Sequence, residues 1–332
     1  MKQEIYAEHR SALPSPDDIT RIELRNGITV LTRSNFNSPT LSTKGYLQSG
    51  SIFDPHEKLG VSFLTAAGLM TGTAHHDFQG MYNEIESIGA SLNFSAGTLT
   101  TAFSAHCLSE DLLLILQLMS ESLRSPTFPE KEFNRQKNQL LTALAIRAQD
   151  TASMAELLFD QIIYADHPYQ YPDEGYPETV QRIKRDDLLD FYQTTYGPKG
   201  MVISIVGAVA PDAAVNAVRK VLGDWENPGQ EPMEDVPSQL PIQKTTQKAL
   251  SIPGKFQADI VMGSLAPRRL SPDYHALKIG NNILGEFGMM GRLGARVREQ
   301  EGLAYYAYSS LSTGMGPGAW EMIAGVNPRN TE

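Results

Sequence analysis

Gly60-Val61-Ser62-Phe63-Leu64-Thr65-Ala66-Ala67-Gly68-Leu69-Met70-Thr71-Gly72-Thr73 is the stretch on which the fold turns. Its apolar and small residues predict a helix over about Leu59 to Met70. What the stretch lacks is equally informative. No His occurs between His56 and His75, and the only acid there is Glu57. A helix in this place therefore presents no group that ligates a metal or accepts a proton.

Upstream, Asn26-Gly27 is a hairpin signal between strands at Arg21 to Leu24 and Ile28 to Thr32, and a third strand fits Ser42 to Leu47. Downstream, a second helix fits Asp77 to Ile88, stopped by Gly89, followed by strands at Ser91 to Phe94 and Leu99 to Ala105 with Gly97 between them. Long helical patterns follow at Glu110 to Leu123, with Ser109 as N-cap, and at Glu130 to Gln149. Helices at Asp186 to Tyr196 and Pro211 to Gly223 enclose a buried strand at Met201 to Val206.

Residues 226–241 hold Pro228, Pro232, Pro237 and Pro241 with Gly229, a density that neither a helix nor a central strand tolerates, so this segment reads as a linker. Beyond it the order partly recurs. Strands fit Lys248 to Ile252 and Asp259 to Leu265, helices Tyr274 to Leu284 and Gly291 to Glu299, then strands Tyr305 to Ser312 and Ala319 to Val326. The expectation is an α+β protein built from two related units with mixed sheets packed by helices, the second incomplete. Its parts are an N-terminal extension (1–19), a first domain (20–225), the linker (226–241) and part of a second domain (242–332). A chain stopping just past Gly325-Val326 leaves layers uncovered, as in a truncated chain or fragment.

The 332 residues carry a formal net charge of −10, which argues against non-specific nucleic-acid binding and against an anionic membrane surface. The start of the chain has no apolar core of signal-peptide length, and the most apolar run, Leu112 to Met119, is too short to span a bilayer. The expected location is cytoplasmic, or periplasmic had a signal been removed. The single cysteine, Cys107, forms no internal disulfide.

Several segments in order resemble the insulinase, pitrilysin and mitochondrial-processing-peptidase superfamily of inverted-motif zinc peptidases. Gly60 to Thr73 is similar to the catalytic helix and its Gly-Thr exit, Gly89-Ala90-Ser91-Leu92-Asn93 to the turn into the substrate-facing strand, and Ser125-Pro126-Thr127-Phe128-Pro129 with Phe133 and Arg135 to the approach to the helix bearing the third metal ligand. His167-Pro168-Tyr169, Gly175, Tyr196 and Val206-Gly207 continue the order. Ile283-Leu284-Gly285, Arg292-Leu293 and Arg298-Glu299-Gln300-Glu301-Gly302-Leu303-Ala304-Tyr305 resemble the second domain.

The resemblance implies His-x-x-Glu-His on the first helix, where residues one turn apart share a zinc ion and the Glu acts as general base. Those positions here are Phe63, Ala66 and Ala67, and the third ligand falls on Thr142 or Ala143; no acid occurs from Phe133 through Gln149. The implied zinc site is lost, and no cofactor is expected. The resemblance also implies that Arg298 and Tyr305, flanking Gly302, form a substrate clamp of two hydrogen-bond donors. It further implies that Asn93, with Gly97-Thr98-Leu99-Thr100, lies on a sheet edge that receives extended peptides.

Other candidates read as structural. His75-His76-Asp77 stands at a helix start where adjacent side chains diverge, with Asp77 in the first turn. His106-Cys107 alternates across a strand, and His167 precedes Pro168 in a turn. Met70, Met81, Met289 and Met290 read as core fillers. Three functions follow in order of expectation. The first is a non-catalytic, substrate-binding subunit whose partner is a zinc-motif-carrying family chain and whose substrate is an unfolded peptide. The second is a structural or assembly subunit, and the third an active peptidase with ligands displaced to His75, His76 or His106.

Overall fold

In the computed structural model, which describes residues 15–233 and 235–331, Asn26-Gly27 turns β1 (Thr20–Glu23) back antiparallel onto β2 (Thr29–Ser34), and β3 (Thr40–Leu47) follows. The first fourteen residues of the expected N-terminal extension lie outside the described residues. The decisive stretch is helix α1 (Val61–Gly68). Its start is fixed by Gly60, whose φ of +98° suits glycine. The Asp54 carboxylate accepts the Gly60 and Ser62 amides at 2.7 and 3.1 Å. Helix α2 (Phe78–Ser87) is capped by Asp77, which accepts the Gly80 amide at 2.7 Å and so sits before the first turn rather than in it. Gly89, at φ +61°, ends it.

Strands β4 (Ser91–Ala96) and β5 (Thr101–Leu108) and helices α3 (Leu112–Arg124) and α4 (Glu130–Arg147) come next. Ser109 does not cap α3; it belongs to a 3-10 turn over Ser109–Asp111 that precedes the helix. Helix α5 (Thr151–Ile163) was not expected; Asp150 caps it by accepting the Ser153 amide at 2.8 Å. Then come α6 (Pro177–Arg182), α7 (Arg185–Thr195), β6 (Val202–Gly207) and α8 (Pro211–Leu222). After a coil that includes the Pro-rich segment come β7 (Ala258–Ala266), α9 (Tyr274–Asn281), π-helical turns over Asn282–Glu286 and Gly294–Gln300, β8 (Ala304–Ser312) and β9 (Gly318–Val326).

These elements form two compact units, one comprising the chain up to Gln139 with Asp173–Met233, the other Leu140–Pro172 with Glu234–Glu332. Residues 140–172, counted by sequence with the first domain, thus pack with the second unit.

In the first unit the sheet order is β1-β2-β6-β3-β5-β4, with β2 and β6 parallel and the other pairs antiparallel. Alternate residues such as Val30, Leu41, Phe103, Ala105, Ile203 and Ile205 are buried, and α3 and α8 contribute Ile115, Met119, Val218 and Leu222 to the core. Strand β6 is buried on one face only, since Val206 is exposed; it is not the fully buried strand its apolar run suggested.

The second unit has the sheet order β7-β9-β8, all antiparallel. Phe159, Ile163 and Tyr164, in and just after α5, pack on Ala319, Val261 and Leu265 of one face. Leu293 and Val297 pack with Ala304, Ala307 and Val326. The strand expected at Lys248 to Ile252 is not formed; these residues are coil and almost wholly exposed. Its counterpart β2 is held in the first unit by β6, and no described strand fills that place in the second. Met70 and Met81 are core residues as expected, whereas Met289 and Met290 are exposed. No described helix is long and apolar enough to cross a membrane.

Candidate functional site

Helix α1 packs against β4 and α7, and Gln136 of α4 ties it down by donating to the Ala67 carbonyl at 2.6 Å. Burial works against the Asp54 charge and pushes its carboxyl up to about 7, against the lowering pull of the Gly60 and Ser62 hydrogen bonds. Helix α1 is thus firmly held. Of its side chains, Ala66 is buried, Phe63 and Ala67 are half-buried, and all three end in carbon. Ala143 on α4 is exposed and likewise carries no donor. A zinc ion needs nitrogen, sulfur or oxygen donors, so these residues do not fit one.

No three His, Cys, Asp or Glu side chains converge among the described residues in a way that could hold a metal. His76 is engaged through Nδ1 with both Glu121 carboxylate oxygens at 3.0 Å, and Glu121 also accepts the Thr73 hydroxyl and the His75 amide. His106 and Cys107 do lie on opposite faces of β5, His106 exposed and Cys107 buried. Burial pushes the Cys107 thiol up to about 11. His167 is more than a turn residue. It is buried, its Nδ1 accepts the Tyr169 amide at 3.1 Å, and its Nε2 lies 3.0 Å from the Pro237 carbonyl, which leaves Nε2 as the donor. It thereby fastens the Pro-rich segment within the second unit.

Asn93 is exposed on β4, the edge strand of the first sheet. With Lys44, Tyr46, Ser95, Ser104, His106 and neighbours it lines a shallow depression of about 510 Å³ on the outward-pointing alternation of β3 to β6. Sequence reasoning missed this depression, although its period-2 spacing in Lys44, Tyr46 and in Asn93, Ser95 was available. The Gly97 to Thr100 turn is not part of the free edge. Gly97 and Thr98 carbonyls accept the Ser51 and Ile52 amides at 3.1 and 2.9 Å.

Arg298 lies in the last π-helical turn before β8, with Nε 3.9 Å from Glu299. Gly302, at φ +63°, turns the chain into the strand. The β8–β9 register slips between Ala304 and Tyr306, so Tyr305 is the extra residue of a β-bulge and stands 57% exposed. A bulge re-aims a side chain that regular alternation would place on a packed face. Its neighbour Tyr306 instead hydrogen-bonds Asp259.

The second unit also holds an acidic group. Glu156 and Asp160 of α5 and Glu321 of β9 are all pushed upward, first by burial and then by nearby carboxylates: Asp150 and Asp259 for Glu156, Glu321 and Glu156 for Asp160, which reaches about 7, and Glu156 for Glu321.

Comparison with known proteins agrees with this geometry. The family model described as Insulinase (Peptidase family M16) matches residues 29–172, and that described as Peptidase M16 inactive domain matches residues 182–332. An uncharacterized zinc protease of Bacillus subtilis is 25% identical over 89% of this chain and 70% of its own length. The mitochondrial-processing peptidase subunit beta of Caenorhabditis elegans is 26% identical over 82% of this chain and 58% of its own length. The crystal structure of a peptidase M16 inactive domain from Pseudomonas fluorescens superposes with a TM-score of 0.84 at 26% identity, covering 93% of this chain and 74% of that one. By its two sheets and these matches along the chain, the protein belongs to the M16 insulinase family of peptidases.

Proposed function

We propose that this chain is a non-catalytic, substrate-binding subunit of a two-chain M16 peptidase whose partner carries His-x-x-Glu-His. The observation that carries this reading is helix α1, held in place by Asp54 and Gln136 yet presenting only Phe63, Ala66 and Ala67 where the chemistry would stand. Without metal or general base, this chain contributes binding and orientation. The β4 edge offers main-chain donors and acceptors to an extended peptide, beside Asn93. Arg298 and the bulged Tyr305 supply a guanidinium and a phenol that can donate to a carbonyl or developing oxyanion. That a relative is itself named as a peptidase subunit supports a multi-chain assembly.

The test is hydrolysis of a quenched unfolded peptide by this chain, by its zinc-motif relative from the same source, and by the mixture. The expected result is no turnover by this chain and a large gain in the mixture over the relative alone. Arg298→Ala and Tyr305→Phe should each lower kcat/KM of the mixture about a hundredfold, roughly the worth of one transition-state hydrogen bond, while the complex elutes unchanged on a sizing column. No gain and no complex would favour a structural role, and stoichiometric zinc in the purified chain would revive displaced ligands.

A further inference from the structure

The outward face of the first sheet carries its hydrogen-bond donors in register. Lys44 of β3 stands directly opposite Ser204 of β6 on one side and Ser104 of β5 on the other, and Ser104 stands opposite Asn93 of β4. Residues paired across strands share a face. Ser204, Lys44, Ser104 and Asn93 therefore form one row across four adjacent strands, and the row ends at the β4 edge. His106, two residues along β5 from Ser104, is a diagonal neighbour of Lys44 on the same face. On the other side, Val202, Tyr46 and Ala102 pair across the same strands as an apolar row. Both rows line the depression of about 510 Å³.

The charge of this surface runs against that of the chain. The protein carries a formal net charge of −10, yet no Asp or Glu stands among the residues that line the depression. Lys44 is exposed, and its ammonium has no ion-pair or hydrogen-bond partner among the described residues. The Asn93 amide and the Ser104 and Ser204 hydroxyls likewise have none there. By contrast Lys58 and Lys278, on other surfaces, are each held by a carboxylate, Asp187 and Glu286. A cation flanked by hydroxyls, with an amide at the end of the row, is a set of donors that matches an anion. The apolar row beside it suits an anion carried on carbon better than a bare inorganic one.

We propose that this row is a carboxylate subsite for a glutamate side chain of an extended peptide bound along β4. A peptide residue beside Asn93 becomes the next member of the row and points its side chain to the same face. Neighbouring strands are only about 4.8 Å apart, so a glutamate there brings its carboxylate over Asn93 and Ser104, which donate to it. Lys44 reaches across one strand spacing to the same group, and His106 flanks it. The inference rests on the reading of this chain as a peptide-binding subunit and adds which peptides it prefers, those that place a glutamate beside Asn93.

The probes are two short Thr-rich peptides with blocked termini, one with a central glutamate and one with glutamine in its place, titrated into the whole protein by calorimetry. The glutamate peptide should bind at least about tenfold more tightly, as one hydrogen bond to a charged group contributes. Raising the salt from about 0.05 to about 0.5 M should weaken binding of the glutamate peptide only. Lys44→Gln, at an exposed strand position that leaves the fold intact, should remove the preference, and Ser104→Ala should reduce it. Equal affinity of the two peptides would overturn the subsite and leave the peptide-binding reading standing, whereas binding of neither would overturn both. An undiminished preference in Lys44→Gln, or displacement of the glutamate peptide by inorganic phosphate at equal concentration, would also overturn the subsite.

Discussion

Gly60 and Asp54 together hold the start of helix α1. A side chain at Gly60 would meet a φ of +98° and the Glu174 carbonyl at 2.6 Å. Gly60→Ala should therefore cost about 2–4 kcal/mol, read as a lowered denaturant midpoint with an unchanged m-value. Asp54→Ala, which strips the Gly60 and Ser62 amides of their acceptor, should cost about 1–3 kcal/mol in the same measurement. The chemistry at this scale was legible beforehand, because whether Phe63, Ala66 and Ala67 can bind a metal depends on their atoms alone. The display of Tyr305 was not, since a bulge is a property of the pairing between β8 and β9.

Helix α5 and the sheet beneath it set the pH response of the second unit. Glu156 and Asp160 on the helix and Glu321 on β9 share a half-buried space, with Asp259, Tyr306 and Tyr308 near them and Tyr164 just past the helix end. Asp160 is raised to about 7 in the folded protein, above its ordinary unfolded value, so between about pH 4 and 7 the folded state holds a proton that the unfolded chain has released. Stability therefore falls as pH rises through that window. Asp160→Asn should raise the melting temperature at pH 8, by an amount corresponding to roughly 1–2 kcal/mol, and flatten the profile between pH 5 and 8. Thermal melts of both forms across that range check it; equal slopes would remove Asp160 as the source. Existence and type of most elements could be read from periodicity. Helix α5 was not among the elements expected from the sequence, although Asp150 and Ser153 form an N-cap signal just after the helix expected to end at Gln149. Lys248 to Ile252 has strand-like residues, but a strand needs a neighbour to bond.

At the scale of the whole molecule, the described residues of the first unit form a six-stranded sheet packed on a core, and those of the second a three-stranded sheet with Ile279, Ile283 and Phe287 exposed beside it. Heating should unfold the chain in two steps by calorimetry, the second unit first, with Asp160→Asn moving only the lower transition. A single transition shifted as a whole by Asp160→Asn would show the units to be one cooperative block. By itself the sequence determined the α+β class, the repeat, the family resemblance and the absence of ligands on α1, because these rest on residue order, spacing and atomic composition. The tertiary structure alone decided that residues 140–172 join the second unit, that Asn93 lines an open surface depression, that a bulge exposes Tyr305 and that β7 has a strand on one side only among the described residues. Each of these depends on which distant segments supply hydrogen bonds and cover apolar surface, and local pattern carries no record of a partner far along the chain.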